Sequence, residues 1–197
     1  MANKDAAFGF KPVRSLSGGE IRTQEYAIAA NYATSLFTGT PVLGVTAGGI
    51  NIAVDSSGTP GHILGSFGGC FYTDPTTGKP TYKSHYAQVN ASDIVAYVYD
   101  DPSLIFEAQH DGTGTAAMNF GGFDFVGLSG STVTGISSAE IDTSELATSG
   151  QFQQLGISKD PDNSDTGSAN VNAYVMTNSA GDNSAAGHQL STQATLS

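Results

Sequence analysis

Apolar residues recur at every second position along much of this chain, and no stretch holds the three-to-four-residue spacing of an amphipathic helix for long. The pattern is plainest in "DIVAYVYDDPSLIFEAQH", residues 93 to 110. There Ile94, Ala96 and Val98 alternate with Val95, Tyr97 and Tyr99, and beyond Pro102 the alternation resumes with Leu104, Phe106 and Ala108 against Ile105 and Glu107. A period of two is the period of a strand, whose successive side chains point to opposite faces. Glycine supplies 25 of the 197 residues, and with Ser, Thr, Asn and Asp it punctuates the apolar runs, as turn chemistry requires. The expected fold is therefore all-β: an antiparallel β-barrel or jelly-roll-like domain over residues 23–178. An extended N-terminal arm precedes it over 1–22, a polar tail follows over 179–197, and at most one short helix is expected.

Individual segments fill in that scheme. "PVLGVTAGGINIAVD" reads as a hairpin turning at Gly48 and Gly49. "HILGSFGGCFYTD" reads as a strand in which Gly68 and Gly69 mark a bulge or a close backbone approach. A turn at "DPTTGKP" leads into "TYKSHYAQ", an expected exposed strand. Between residues 112 and 135 glycine is too frequent for a long element, so Phe120, Phe123 and Phe125 are the expected anchors. "SSAEIDTSELA" is the helix candidate, because Ser137 and Glu140 stand at capping-box spacing. "QFQQLGISKD" and "NVNAYVMTN" read as two closing strands.

Charge narrows the function. Eighteen Asp and Glu face seven Lys and Arg, a formal net charge of −11. Nucleic-acid affinity depends on clustered cations, so neither DNA nor RNA is an expected partner. The first 25 residues are the exception, since Lys4, Lys11, Arg14 and Arg22 there outnumber Asp5, Glu20 and Glu25. A slightly basic front on an acidic body suggests a segment with a binding task of its own. No apolar run is long enough for a secretory signal or a membrane span, so no membrane association is expected.

The residues that tempt a catalytic reading have structural explanations. Asp100 and Asp101 precede a proline and read as a corner between strands, because neighbours along one extended chain point apart rather than converge. His62, His85, His110 and His188 lack zinc-ligand spacing, and Cys70 sits in an apolar strand with no adjacent cation to activate it. In "DPDNSDTG" the residues Asp160, Asp162 and Ser164 begin like a calcium loop, but Asp165 stands where glycine is required and Val171 where the closing glutamate belongs. An irregular oxygen site stays open there. No cofactor and no catalytic residue is expected, although carboxylates converging from separate strands, as in a glycosidase, would be invisible in a sequence.

Three segments carry a resemblance: "MANKDAAFGFKPVRSLSGGEIRTQEY", "DIVAYVYDDPSLIFEAQ" and "LGISKDPDNSDTGSANVNAYVM". The chain resembles tailed-bacteriophage structural proteins, many from marine phages, of the capsid decoration or cement type. The resemblance implies a virion protein on the outer surface of the head, made in the host cytoplasm, that binds the major capsid protein and stabilises the shell. A homo-oligomer, a trimer by preference, would multiply a modest contact. Phe8, Phe10 and Val13, with Lys11, Arg14 and Arg22, are the expected contact residues of the arm, which would lay aromatic anchors into grooves or add a strand to a sheet edge. The competing expectation is a carbohydrate-binding or adhesion module, for which Tyr82, Tyr86, Tyr97 and Tyr99 would form an aromatic face.

Overall fold

The computed structural model describes residues 3–58, 61–146 and 150–178; the expected polar tail lies outside the described residues. In chain order the strands are β1 (Lys11–Ser15), β2 (Gln24–Ala27), β3 (Leu36–Phe37), β4 (Pro41–Gly44), β5 (Ile50–Ile52), β6 (Gly65–Thr73), β7 (Pro80–Lys83) and β8 (His85–Tyr86). There follow β9 (Val95–Tyr99), β10 (Leu104–Gln109), β11 (Gly122–Phe123), β12 (Phe125–Val126), β13 (Glu140–Ile141), β14 (Phe152–Ile157) and β15 (Asn172–Thr177). The protein is all-β, and its strand pairs in named sheets are antiparallel.

Two main sheets carry the fold. Sheet I has the order β1-β10-β15-β14-β11, and sheet II the order β2-β9-β6-β4-β5 with β7 added beside β6. Among the described residues no closed barrel forms. Sheet II nevertheless curls until Ala27 at the end of β2 bridges Gly49 in the β4–β5 turn.

Each sheet owns a core. Phe106, Ala108, Ala173, Val175 and Phe152 of sheet I enclose one core with Phe123, Phe125 and Ile141. Phe67, Cys70, Tyr72, Ala96 and Val98 of sheet II enclose the other with Leu36, Val42, Ile50 and Tyr86. Strand β4 serves both, because its neighbours Val42 and Leu43 point to opposite faces and pack into different cores.

The bulge expected at the glycine pair is present and decides the facing of β6. Register shifts between Phe67 and Gly69, and Gly69 takes φ +134°, a region side chains rarely enter. The extra residue lets Phe67 and Cys70, three apart, both point inward. The hairpin at 41–52 and the turn at 74–79 also form as expected; in the turn Asp74 accepts from Thr76 and Thr77 backbone amides and Gly78 N–H bonds Asp74 O.

The acidic corner proves to be more than a turn. β9 and β10 do not pair with each other: β9 lies in sheet II and β10 in sheet I, so Asp100–Ser103 carries the chain across. Asp101 fastens the corner by accepting Ser103 N–H at 2.8 Å and Ser103 Oγ–H at 2.6 Å, and these bonds hold its carboxyl below the usual range. Asp100 accepts instead from the Tyr26 hydroxyl at 2.5 Å, which pushes that phenol up to about 12.

Three expectations need correction. The described part of the expected helix, 137–146, is not helical: β13 is followed by a single 3₁₀ turn over Thr143–Glu145, capped by Asp142. Ser137 Oγ accepts from Ala139 N–H rather than closing a box with Glu140, because Ala139 and Ile141 alternate into the first core and hold the chain extended. The "TYKSHYAQ" strand is exposed only along β7, since Tyr86 is wholly buried with its hydroxyl donating to Tyr32 O and Val89 O. Of the three phenylalanine anchors, Phe123 and Phe125 are buried, whereas Phe120 is 62% exposed.

Candidate functional site

The segment expected to extend as a free arm is knitted into its own domain, and this is the main correction the structure makes. Residues 11–15 form β1 on the edge of sheet I, paired with β10. Phe10 is fully buried in the first core, stacked on Phe152 at 4.1 Å between centroids and edge-on to Phe125 at 6.2 Å. Burying that ring is worth roughly 1.5–3 kcal/mol, more than an exposed arm could recover from water. The backbone before it also docks closely: Phe10 N–H bonds Gly39 O at 2.8 Å, and Ser66 Oγ donates to Phe10 O at 2.7 Å. A Cβ on Gly9, at φ +72°, would stand 2.7 Å from Gly39 O, so only glycine allows this approach.

Ahead of Phe10 a polar strap continues. Asn3 Nδ2 donates to Asp165 O and Ala169 O, while Asp165 N–H returns a bond to Asn3 Oδ1. Lys4 O accepts from Gln109 Nε2 and Asn163 Nδ2, and Ala6 N–H donates to Gln109 Oε1. The strap is thus held by buried amide side chains of β10 and of the 158–171 loop.

A cleft of about 580 Å³ opens beside residues 8–12. Phe8, Phe10, Lys11 and Pro12 form one wall, Thr38, Gly39, Ser66, Tyr99 and Ile136 another, and Glu107, Asp160 and Asn172 add polar groups. Its size falls within the range of about 300–1,000 Å³ typical of ligand sites. Of the six contact residues expected from the sequence, Phe8, Phe10 and Lys11 meet here. Val13 is the half-buried residue at a register shift between Pro12 and Arg14, and Arg14 lies over the Tyr174 ring at 5.9 Å. Arg22 is exposed in the following loop, where its charge helps to lower the Asp101 carboxyl. Pro12, the bulge and the two cations blunt β1 as a template for strand addition.

The sequence reading did not single out Glu107, Asn172 or Tyr99 for the cleft. Their signal was faint: a lone glutamate breaking an apolar strand, and an asparagine opening another. Glu107 Oε1 accepts from Ser158 Oγ at 2.5 Å, and Asp160 accepts from Asp162 N–H and from Asn172 Nδ2. The carboxylates of Asp160 and Asp165 fasten the loop and its flank, with Asp165 taking Gly167 N–H and Ser168 Oγ–H. Among the described residues no group of three or more His, Cys, Asp or Glu is arranged to hold a metal ion.

Of the other singled-out groups, His110 and Cys70 are structural, and His188 lies outside the described residues. His110 is fully buried, its ring nitrogens against Gln154 Oε1 at 2.9 Å and Thr143 Oγ1 at 3.2 Å, and burial pushes its pKa down. Burial pushes the Cys70 thiol up to about 12, leaving it unreactive. Three of the four tyrosines expected to share a face do so: Tyr82, Tyr97 and Tyr99 gather over the glycine bulge of β6, while Tyr86 belongs to the second core.

No helix among the described residues is long and apolar enough to cross a membrane. The chain matches no known family model, no curated protein and no solved structure.

Proposed function

We propose that this chain is a virion structural protein of the capsid decoration type, which binds the outer surface of a shell of major capsid protein and stabilises the head. The observation that carries the reading is the cleft beside residues 8–12. Phe8, Phe10 and Lys11, three of the residues that the basic front end singled out, line it with Tyr99 and Ile136. The front end therefore acts as the wall of a groove that receives a segment of the partner, rather than as an anchor thrown into the partner's groove. Because Phe10 is rooted in the first core, load on the bound segment passes into the folded domain. The reading takes up the resemblance expected from the segments around residues 1–26, 93–109 and 155–176, and a homo-oligomer would raise avidity over the repeated sites of a shell.

The test is co-sedimentation of the purified protein with heads that lack it. Wild-type protein is expected to saturate a fixed number of sites per capsid subunit. Phe8→Ala and Lys11→Glu, both at residues not fully buried, should each weaken binding about tenfold while leaving the thermal midpoint within a few degrees. Undiminished binding of both variants would remove the cleft from the account, and absence of wild-type binding would remove the decoration role.

A further inference from the structure

The outward face of sheet II carries a second feature that meets the cleft only at Tyr99. Phe71 on β6, Tyr82 on β7, and Tyr97 and Tyr99 on β9 all project from it, Phe71 in register with Tyr82 and Gly69 with Tyr97. Tyr82 is 59% exposed and Phe71 37%. The glycine pair beneath them makes this arrangement possible. A Cβ on Gly69 would lie 2.5 Å from the Tyr82 hydroxyl, and one on Gly68 2.8 Å from the Tyr99 ring. Tyr82 instead lies across the pair, its hydroxyl donating to Gly68 O at 3.2 Å and its ring 6.3 Å from that of Tyr97. Tyr82 is thus held down on the sheet, with little side-chain freedom left to lose when a ligand arrives.

We propose that Phe71, Tyr82 and Tyr97 form a platform that binds an uncharged oligosaccharide, with Tyr99 at its margin toward the cleft. A pyranose ring offers an apolar face of C–H bonds, which suits the electron-rich face of an aromatic side chain, and hydroxyls around its rim that need polar partners. Those partners stand beside the rings: Glu25 is in register with Tyr97, and Asp93 lies at the end of β6, where it accepts Thr73 N–H. Both are acidic, and the chain as a whole carries −11, so a sulfated, phosphorylated or carboxylated sugar is disfavoured and a neutral one admitted.

Area argues against a protein occupant. An aromatic side chain offers about 200 Å², so the exposed fractions of Phe71 and Tyr82 sum to the order of 200 Å². A stable protein complex buries about 800 Å² on each partner. The platform matches one or two sugar rings.

The experiment titrates the full chain with cellohexaose, chitohexaose and maltohexaose, following binding by calorimetry and by saturation-transfer NMR, with hyaluronan hexasaccharide as the anionic arm. Saturable binding of at least one neutral hexasaccharide is expected, about tenfold weaker in Tyr82→Ala and in Tyr97→Ala. Tyr82→Phe, which keeps the ring, should stay within about threefold of wild type. The proposal is overturned if none of the three neutral sugars binds, if hyaluronan binds more tightly than all of them, or if both alanine variants bind as wild type does. It is equally overturned if sedimentation shows wild-type self-association that Tyr82→Ala abolishes, because a second copy would then own the platform. Since Tyr82 is exposed, its variants should melt within a few degrees of wild type, and none of these results bears on capsid binding.

Discussion

Phe10 is the residue through which the front of the chain becomes part of the domain. Its ring stacks on Phe152 with no exposure to solvent, so Phe10→Ala should cost about 3–5 kcal/mol of unfolding free energy in a denaturant titration. A loss below about 1 kcal/mol would mean that the ring is not in the core. Glu140 makes the opposite kind of contribution. One of its carboxyl oxygens is buried without a hydrogen-bond partner, and burial, with Asp5 and Asp111 nearby, raises its pKa from 4.5 to about 7. The folded chain therefore keeps a proton that the unfolded chain releases. Stability from this group is complete below about pH 4.5 and declines as pH rises through 7. Glu140→Gln should abolish that slope and raise stability at pH 8 by roughly 1–2 kcal/mol, discounted for partial contact with solvent. An unchanged pH profile of stability in the variant would contradict the assignment.

At the scale of elements, what the sequence made legible was what local chemistry decides. The Gly48–Gly49 hairpin, the Asp74 turn, the Gly68–Gly69 bulge and the Asp100–Pro102 corner each depend on a few adjacent residues, and each forms where expected. Where a distant partner decides, the reading failed. The Ser137–Glu140 spacing would suit a helix, but Ala139 and Ile141 are held extended by a core that no local pattern reveals. Likewise nothing within "AAFGF" tells whether Phe10 faces a neighbour or its own Phe152. The strap ahead of it rests on Gln109, whose side chain meets Lys4 O, Ala6 N–H, Asn170 O and Asn172 Oδ1. Gln109→Ala should cost about 1–3 kcal/mol and speed tryptic cleavage after Lys4 several-fold. An unaltered cleavage rate would show that the strap is held by other contacts.

For the whole molecule, the chain passes between the two main sheets at β1–β2 and returns at β9–β10. β9 and β10 are consecutive in sequence yet lie in different sheets, an arrangement that alternation alone could not distinguish from a simple hairpin. It explains why an all-β fold was readable while the strand order was not. Residues 8–10 then lead into β1 against Gly39 and Ser66, with Phe10 packed inward and the cleft beside them. Of the candidate site, Phe8, Phe10 and Lys11 were legible from charge and aromatic content, whereas Tyr99, Glu107 and Asn172 reach the cleft only through that long-range assembly. The claim on which the rest depends is that the front segment belongs to its own fold before any partner arrives. Native-state hydrogen exchange on the isolated protein tests it most directly, read at the amide of Phe10, which is bonded to Gly39 O, and at the amides of residues 11–15. The account predicts that the Phe10 amide opens with a free energy close to that of global unfolding. Exchange of these amides at the rate of an unstructured peptide, with protection appearing only when capsids are added, would contradict it.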